Sequence, residues 1–136
     1  MTTLSTDAQT TAGVLLLSVV AIMYGGTFML KVVRGKVPMT PFQQAFARAG
    51  HAHAGVLVIL ALVCQIFADA ANMEGIQERV ARDGVPLAAI LISAGFFLSS
   101  AGKGRTEPNR LIVLLWTGVV SLAAGVIALG VGLLTR

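Results

Sequence analysis

The chain has 136 residues, of which 56% are hydrophobic and only 12% are charged. Soluble domains carry about 25% charged residues, so the composition indicates an integral membrane protein and leaves no room for a separate soluble catalytic domain. The net charge of +4 does not indicate nucleic-acid binding, because Lys and Arg border apolar segments. At such positions they determine topology and contact anionic lipid headgroups.

The first apolar segment predicts a membrane span over about residues 11–33. Its length fits, since about 20 apolar residues cross a bilayer. Near its middle lies the segment Tyr24-Gly25-Gly26-Thr27. A tyrosine at this depth is unusual, because tyrosine prefers the membrane interface. The two glycines, Gly25 and Gly26, predict either a close approach of another helix or a kink in this one.

The second predicted span covers about residues 41–69. Its start is marked by Thr40 as N-cap, a proline at the first helical position and Gln43 at the third. At its other end, Gln65 and Asp69 lie four residues apart on one helix face. We expect these two side chains to form a solvated helix end.

The segment over about residues 69–85 is the most polar part of the chain. Its apolar residues recur at helical spacing, which predicts a short amphipathic helix on the membrane surface. Gly84 and Pro86 are expected to end that helix. A third span then follows over about residues 86–101 and is short, so it would cross the membrane with little tilt.

The fourth predicted span covers about residues 111–134 and carries a ridge of small residues. Such ridges mark helix packing faces in membranes. The ridge consists of Ser121, Ala124, Gly125, Ala128 and Gly132.

Together these segments predict an all-α integral membrane protein in which residues 1–136 form one domain of four transmembrane helices. We expect an up-down bundle. A faint similarity between residues 26–36 and 95–105 also allows two tandem helical hairpins.

The distribution of basic residues predicts the orientation of this bundle. The first and third loops and their flanks hold Lys31, Arg34, Lys36, Arg48, Lys103, Arg105 and Arg110, whereas the other side holds Arg79, Arg82 and Arg136. Cytoplasmic loops of membrane proteins are enriched in Lys and Arg. We therefore expect a cytoplasmic (inner) membrane of bacterial type, with both termini and the acidic second loop outside.

Both histidines of the chain, His51 and His53, lie in the second span, inside a segment without charge. Ionisable groups inside lipid are costly and are candidates for functional sites. Residues two apart on a helix point about 200° away from each other, so the two imidazoles cannot bind one ion together. No Asp or Glu lies in the core of any span, and we predict no metal site.

Counting from the cytoplasmic helix ends indicates which polar groups share the depth of the histidines. This count predicts an intramembrane polar cluster with a Tyr24–His53 hydrogen bond at its centre. Packing and interhelical hydrogen bonding explain such a cluster as well as a functional site does. Its members would be His51, His53, Tyr24, Thr27, Ser93 and Thr117.

Three functions are compatible with these features. The first is a non-catalytic subunit or an assembly or scaffold component of a membrane complex, since no recognisable catalytic residues are present. The sequence leaves an enzymatic activity open but favours a non-enzymatic role. The second is an electron-transfer protein in which His51 or His53 is an axial haem ligand. The third is a small oligomeric channel or proton-coupled transporter with a titrating histidine.

For the first function we expect no cofactor, and haem is the alternative. A second haem-ligating histidine would have to come from another chain, because none faces this pair from a different helix. The expected partners are the lipid bilayer, anionic headgroups on the basic side, and other membrane subunits or a second copy of the chain.

Overall fold

The computed structural model describes residues 4–135, and the regular secondary structure in this range is entirely helical. Its helices are α1 (Thr6–Val33), α2 (Pro41–Ala70), α3 (Gly75–Ser99) and α4 (Ile112–Leu134). All four are long and apolar enough to span a membrane. The prediction of an all-α fold with four apolar helices is therefore confirmed, while the ends of the predicted domain, residues 1–3 and Arg136, lie outside the described range.

The start of α2 has the predicted capping arrangement. The Thr40 hydroxyl accepts a hydrogen bond of 3.2 Å from the Gln43 backbone N–H, and the Gln43 side-chain oxygen accepts one of 3.2 Å from the Thr40 N–H. This reciprocal pair satisfies two of the backbone donors that a helix start leaves without partners. The Gln43 amide also donates to the carbonyls of Ser100 and Gly102, at 2.9 and 2.6 Å. The helix start thus also holds the loop between α3 and α4.

Helix α3 runs without interruption through Pro86. The prediction of a separate surface helix ending at Gly84 and Pro86 is therefore wrong. Proline has no backbone N–H, so the carbonyl of Arg82, four residues earlier, lacks its helical donor. The side-chain amide of Gln65 on α2 donates to this carbonyl at 2.8 Å. Membrane helices tolerate proline where a neighbouring helix supplies such a partner.

The helices pack mainly in chain order, α1 on α2, α2 on α3 and α3 on α4, and α2 also touches α4 over a small area. Over residues 4–135, α1 and α4 form no interface with each other, so the four helices make an open row. The main core lies between α2 and α3 and includes Leu57, Ala61, Val85 and Ile92. One consequence is that a gap separates α1 from α3 along the face of α2.

Small residues bring α3 and α4 into backbone contact. A Cβ atom on Gly84 would lie 2.7 Å from the Cα of Gly125, and one on Gly95 would lie 2.5 Å from the Leu115 nitrogen. The Ser121 hydroxyl donates to the Gly84 carbonyl at 2.8 Å. Glycine is required at these positions because a side chain would force the two backbones apart.

The predicted ridge on α4 is only partly in this interface. Ser121 and Gly125 face Gly84, and Gly132 packs against the side chain of Met73. Ala128 is half-buried and its carbonyl accepts from Gln77 at 3.0 Å, whereas Ala124 is exposed. A spacing of four drifts around a helix of 3.6 residues per turn, so the ridge does not stay on one face.

The two ends of the helix row differ in charge. At one end the start of α1 meets the end of α2, where Ser5 bonds Asp69, and Gln77 of α3 meets α4. We call this the acidic end, and it includes residues 70–75. The opposite end, with residues 34–40 and 100–111, is called the basic end.

Candidate functional site

His51 faces α1. Its ring lies against the two adjacent glycines, so that a Cβ on Gly25 would be 3.5 Å from His51 Nδ1 and a Cβ on Gly26 would be 3.8 Å from Nε2. The predicted close approach at Gly25 and Gly26 is thus a contact with an imidazole ring. The ring is half-buried and makes no hydrogen bond to any residue in the range 4–135.

His53 contacts α3 and is exposed. Its ring stacks on Phe96, with ring centroids 5.0 Å apart and an angle of 35° between the planes. Nδ1 lies 2.8 Å from the carbonyl oxygen of Ala49, one turn earlier on α2. Because a carbonyl can only accept, this bond places the proton on Nδ1. In the neutral ring Nε2 then carries a lone pair, which is the form that ligates a metal.

The other residues of the predicted polar cluster do not gather around the histidines. Tyr24 is 79% exposed, and no hydrogen bond joins it to His53 in the described structure. Thr27 and Thr117 donate to carbonyls of their own helices, at 2.7 and 2.9 Å. The Ser93 hydroxyl is buried without a partner among residues 4–135. The sequence predicts at which depth each of these polar side chains lies, but the rotation of each helix about its axis places them on different faces.

A buried ionic network at the acidic end was not predicted from the sequence. Arg82 is only 8% exposed; its Nε donates to Glu78 at 2.8 Å, and its Nη2 pairs with Asp69. Asp69 also accepts from the backbone N–H and the hydroxyl of Ser5, at 2.7 and 2.8 Å. This network connects α1, α2 and α3.

The expectation of a solvated helix end at Gln65 and Asp69 is wrong, since Gln65 is 1% exposed and Asp69 is held in the network. A signal was available in the sequence. Asp69 and Arg82 carry opposite charges at facing ends of helices that a short loop joins. Such charges are close in space whenever the two helices pack against each other.

Two cavities lie between α1 and α3. The first is at the acidic end, has a volume of about 560 Å³ and is lined by Asp7, Thr10, Thr11, Gly75, Glu78, Arg79, Arg82 and Asp83. The second is an apolar crevice of about 270 Å³, lined by Thr11, Val14, Leu15, Ser18, Ile22, Ala54, Val58, Pro86, Ala89 and Ile90. Thr11 lines both, so the two cavities adjoin at this residue. We call them the polar pocket and the apolar crevice.

Within residues 4–135 no three His, Cys, Asp or Glu side chains are arranged to hold a metal ion. The Nδ1 atom of His53 is bonded to the Ala49 carbonyl, and the polar pocket presents charges of both signs. No protein-family model, curated protein or solved structure matches this chain, so its function has to be inferred from its own residues.

Proposed function

We propose that the protein is a multi-pass membrane protein whose helices cross the bilayer alternately up and down. In the apolar stretch of α1 only 6% of the residues are buried, and large side chains such as Leu17 and Met23 are 74% and 69% exposed. Soluble monomers rarely expose contiguous apolar patches of more than a few hundred Å². Lipid tails would cover such a surface without cost.

The proposed orientation places the basic end in the cytoplasm and the acidic end, with both termini, outside a bacterial-type inner membrane. It follows from the excess of Lys and Arg in residues 31–36 and 103–110. Single cysteines at Asn72 and at Lys103, in a Cys64→Ala background, test it. Only the cysteine at position 72 should react with a membrane-impermeant maleimide added to intact cells. Labelling at position 103 alone would reverse the orientation.

Within that membrane we propose a non-catalytic role as a subunit or assembly component of a larger complex. Tyr24 carries this proposal. It is 79% exposed and lies about 13 Å from the end of α1 at Val33, at a rise of about 1.5 Å per residue. A tyrosine hydroxyl away from water usually has a hydrogen-bond partner. The partner we infer is a polar group on a membrane helix of another subunit, packed on the open side of α1.

Site-specific photocrosslinking in intact membranes tests this role. A photoreactive phenylalanine replaces Tyr24, and a control replaces Val120, which is 69% exposed on α4. One stoichiometric protein adduct at position 24, and none at 120, is the expected result. Replacing Tyr24 by Phe should weaken recovery of that partner in mild detergent, because only the hydroxyl is removed. Lipid adducts alone at both positions would overturn the subunit role.

The histidines are tested by replacement. The variant with His51 and His53 both changed to Phe should insert and keep its oligomeric state but lose function in its cell. If the double variant behaves as the parent protein does, the histidines have only a packing role.

The arrangement of His53 favours one alternative function, which is electron transfer through haem. Its Nε2 is available in the tautomer that the Ala49 carbonyl selects. This chain would supply one axial ligand, and the second would come from another copy or a partner. The visible spectrum of gently purified protein tests it. A Soret band lost in His53→Phe but kept in His51→Phe would establish ligation by His53, and a colourless protein would remove this alternative.

A further inference from the structure

We propose that the gap between α1 and α3 binds one bilayer phospholipid with an ethanolamine headgroup. The headgroup occupies the polar pocket at the acidic end, and one acyl chain occupies the apolar crevice that adjoins it at Thr11. The inference rests on the proposed membrane insertion. It assigns a ligand to two cavities that the histidine site does not use.

The crevice has the length of one lipid leaflet. Its lining on α1 extends from Thr11 to Ile22, which is about 16 Å along the helix axis. The hydrocarbon core of a bilayer is about 30 Å thick, so the crevice spans about half of it. It also begins at the acidic end, where a headgroup of the outer leaflet would lie.

The shape of the crevice suits the acyl chain of a lipid. Its lining from α2 and α3 includes the short side chains of Ala54, Pro86 and Ala89. Apolar cavities do not hold water, and no side chain of residues 4–135 fills this one. In a membrane, a lipid tail is the apolar group present at this depth.

The polar pocket carries charges of both signs, and part of this charge is already compensated. Arg82 is paired with Asp69 and Glu78. Arg79, Asp7 and Asp83 line the pocket and form no ion pair within residues 4–135. The pocket thus offers one cation to a phosphate and two carboxylates to an ammonium group.

This pattern distinguishes between the common headgroups. A primary ammonium, like that of lysine, donates three hydrogen bonds and can satisfy both carboxylates. A choline headgroup has the same charge but no N–H donor, and a glycerol headgroup has no cation to offset Asp7 and Asp83. The chemistry therefore favours phosphatidylethanolamine over phosphatidylcholine, and both over phosphatidylglycerol.

The experiment uses the full-length chain reconstituted in vesicles of equal parts phosphatidylethanolamine, phosphatidylcholine and phosphatidylglycerol with identical acyl chains. After gentle extraction, native mass spectrometry counts the lipids retained on each chain. One phosphatidylethanolamine should be retained, with a preference of about tenfold over the other two, as expected for a charge-assisted hydrogen bond.

Variants separate the headgroup from the tail. Asp7→Asn and Asp83→Asn should each reduce retention of phosphatidylethanolamine about tenfold. Glu74→Gln is the matched control, since it removes an acid at the same end that does not line the polar pocket. Ala54→Phe fills the crevice and should reduce retention of every phospholipid, while circular dichroism verifies that it remains helical.

Equal retention of the three lipids, preferential retention of phosphatidylglycerol, or unchanged retention in both Asn variants would overturn the lipid site. These results leave membrane insertion standing, because the chain has entered the vesicles. A chain that stays at the bottom of a density gradient while the vesicles float would instead overturn the proposed function and this inference together.

Discussion

Pro86 and Gln65 form a pair whose coupling can be measured. Pro86 leaves the Arg82 carbonyl without its helical donor, and the buried Gln65 amide donates to that carbonyl at 2.8 Å. Changing Gln65 to Leu keeps the volume and removes the donor. A buried polar group left without a partner costs about 1–3 kcal/mol, so the open Arg82 carbonyl by itself should lower the free energy of unfolding by that amount.

The same change should cost less when residue 86 is alanine. The Pro86→Ala backbone N–H lies in the helix and supplies the missing bond to the Arg82 carbonyl. Gln65→Leu also removes a buried side-chain oxygen that has no partner in the described structure. That gain is present in both backgrounds and cancels in the double-mutant cycle. The coupling free energy should therefore be about 1–2 kcal/mol.

The assay is unfolding of the four purified proteins in mild detergent by titration with a denaturing detergent, followed by circular dichroism. A coupling below about 0.3 kcal/mol is the value for independent sites. Such a result would refute the reasoning that Gln65 is present to satisfy the carbonyl that proline leaves open. A larger loss from Gln65→Leu in the alanine background would refute it as well.

Three further changes test other contacts with the same assay. Gly95→Ala should lower stability by about 1–3 kcal/mol, because its Cβ would lie 2.5 Å from the α4 backbone, whereas Gly130→Ala meets nothing within 4 Å and should leave stability unchanged or raised. Gln43→Leu removes two hydrogen bonds to carbonyls of the loop before α4 and should cost about 2 kcal/mol. Equal rates of protease cleavage of that loop in the parent protein and in the variant would contradict this. Arg82→Met leaves two carboxylates without their cation and should cost about 3 kcal/mol. Asp69→Asn should cost less, because Asp69 pairs with one cation whereas Arg82 pairs with two acids.

Local signals predicted the helices well. Apolar segments of about 20 residues gave all four, and Thr40 with Gln43 gave the start of α2 to the residue. The start of α3 was missed because Gly84 and Pro86 are helix-ending residues in their local context. The structure continues the helix because Gln65, from another helix, satisfies the open carbonyl. Such a bond between two helices cannot be read from the residues around Pro86.

The candidate site likewise combines features that the sequence predicts with features that only tertiary contacts decide. The sequence identified His51 and His53 as unusual, and helix geometry alone established that they point to different sides. It also estimated which polar residues share their depth. It could not give the rotation of each helix about its axis, and this rotation leaves Tyr24 exposed while it turns His53 onto Phe96.

The sequence by itself determined that the chain forms four long apolar helices, since the composition and the length of the apolar segments can be read from the order of residues. Tertiary structure decided which faces meet: Gly84 against Gly125, Asp69 against Arg82, and a gap between α1 and α3. The physical reason is that helix formation uses bonds within a few residues. Packing depends on shape and charge brought together from distant parts of the chain.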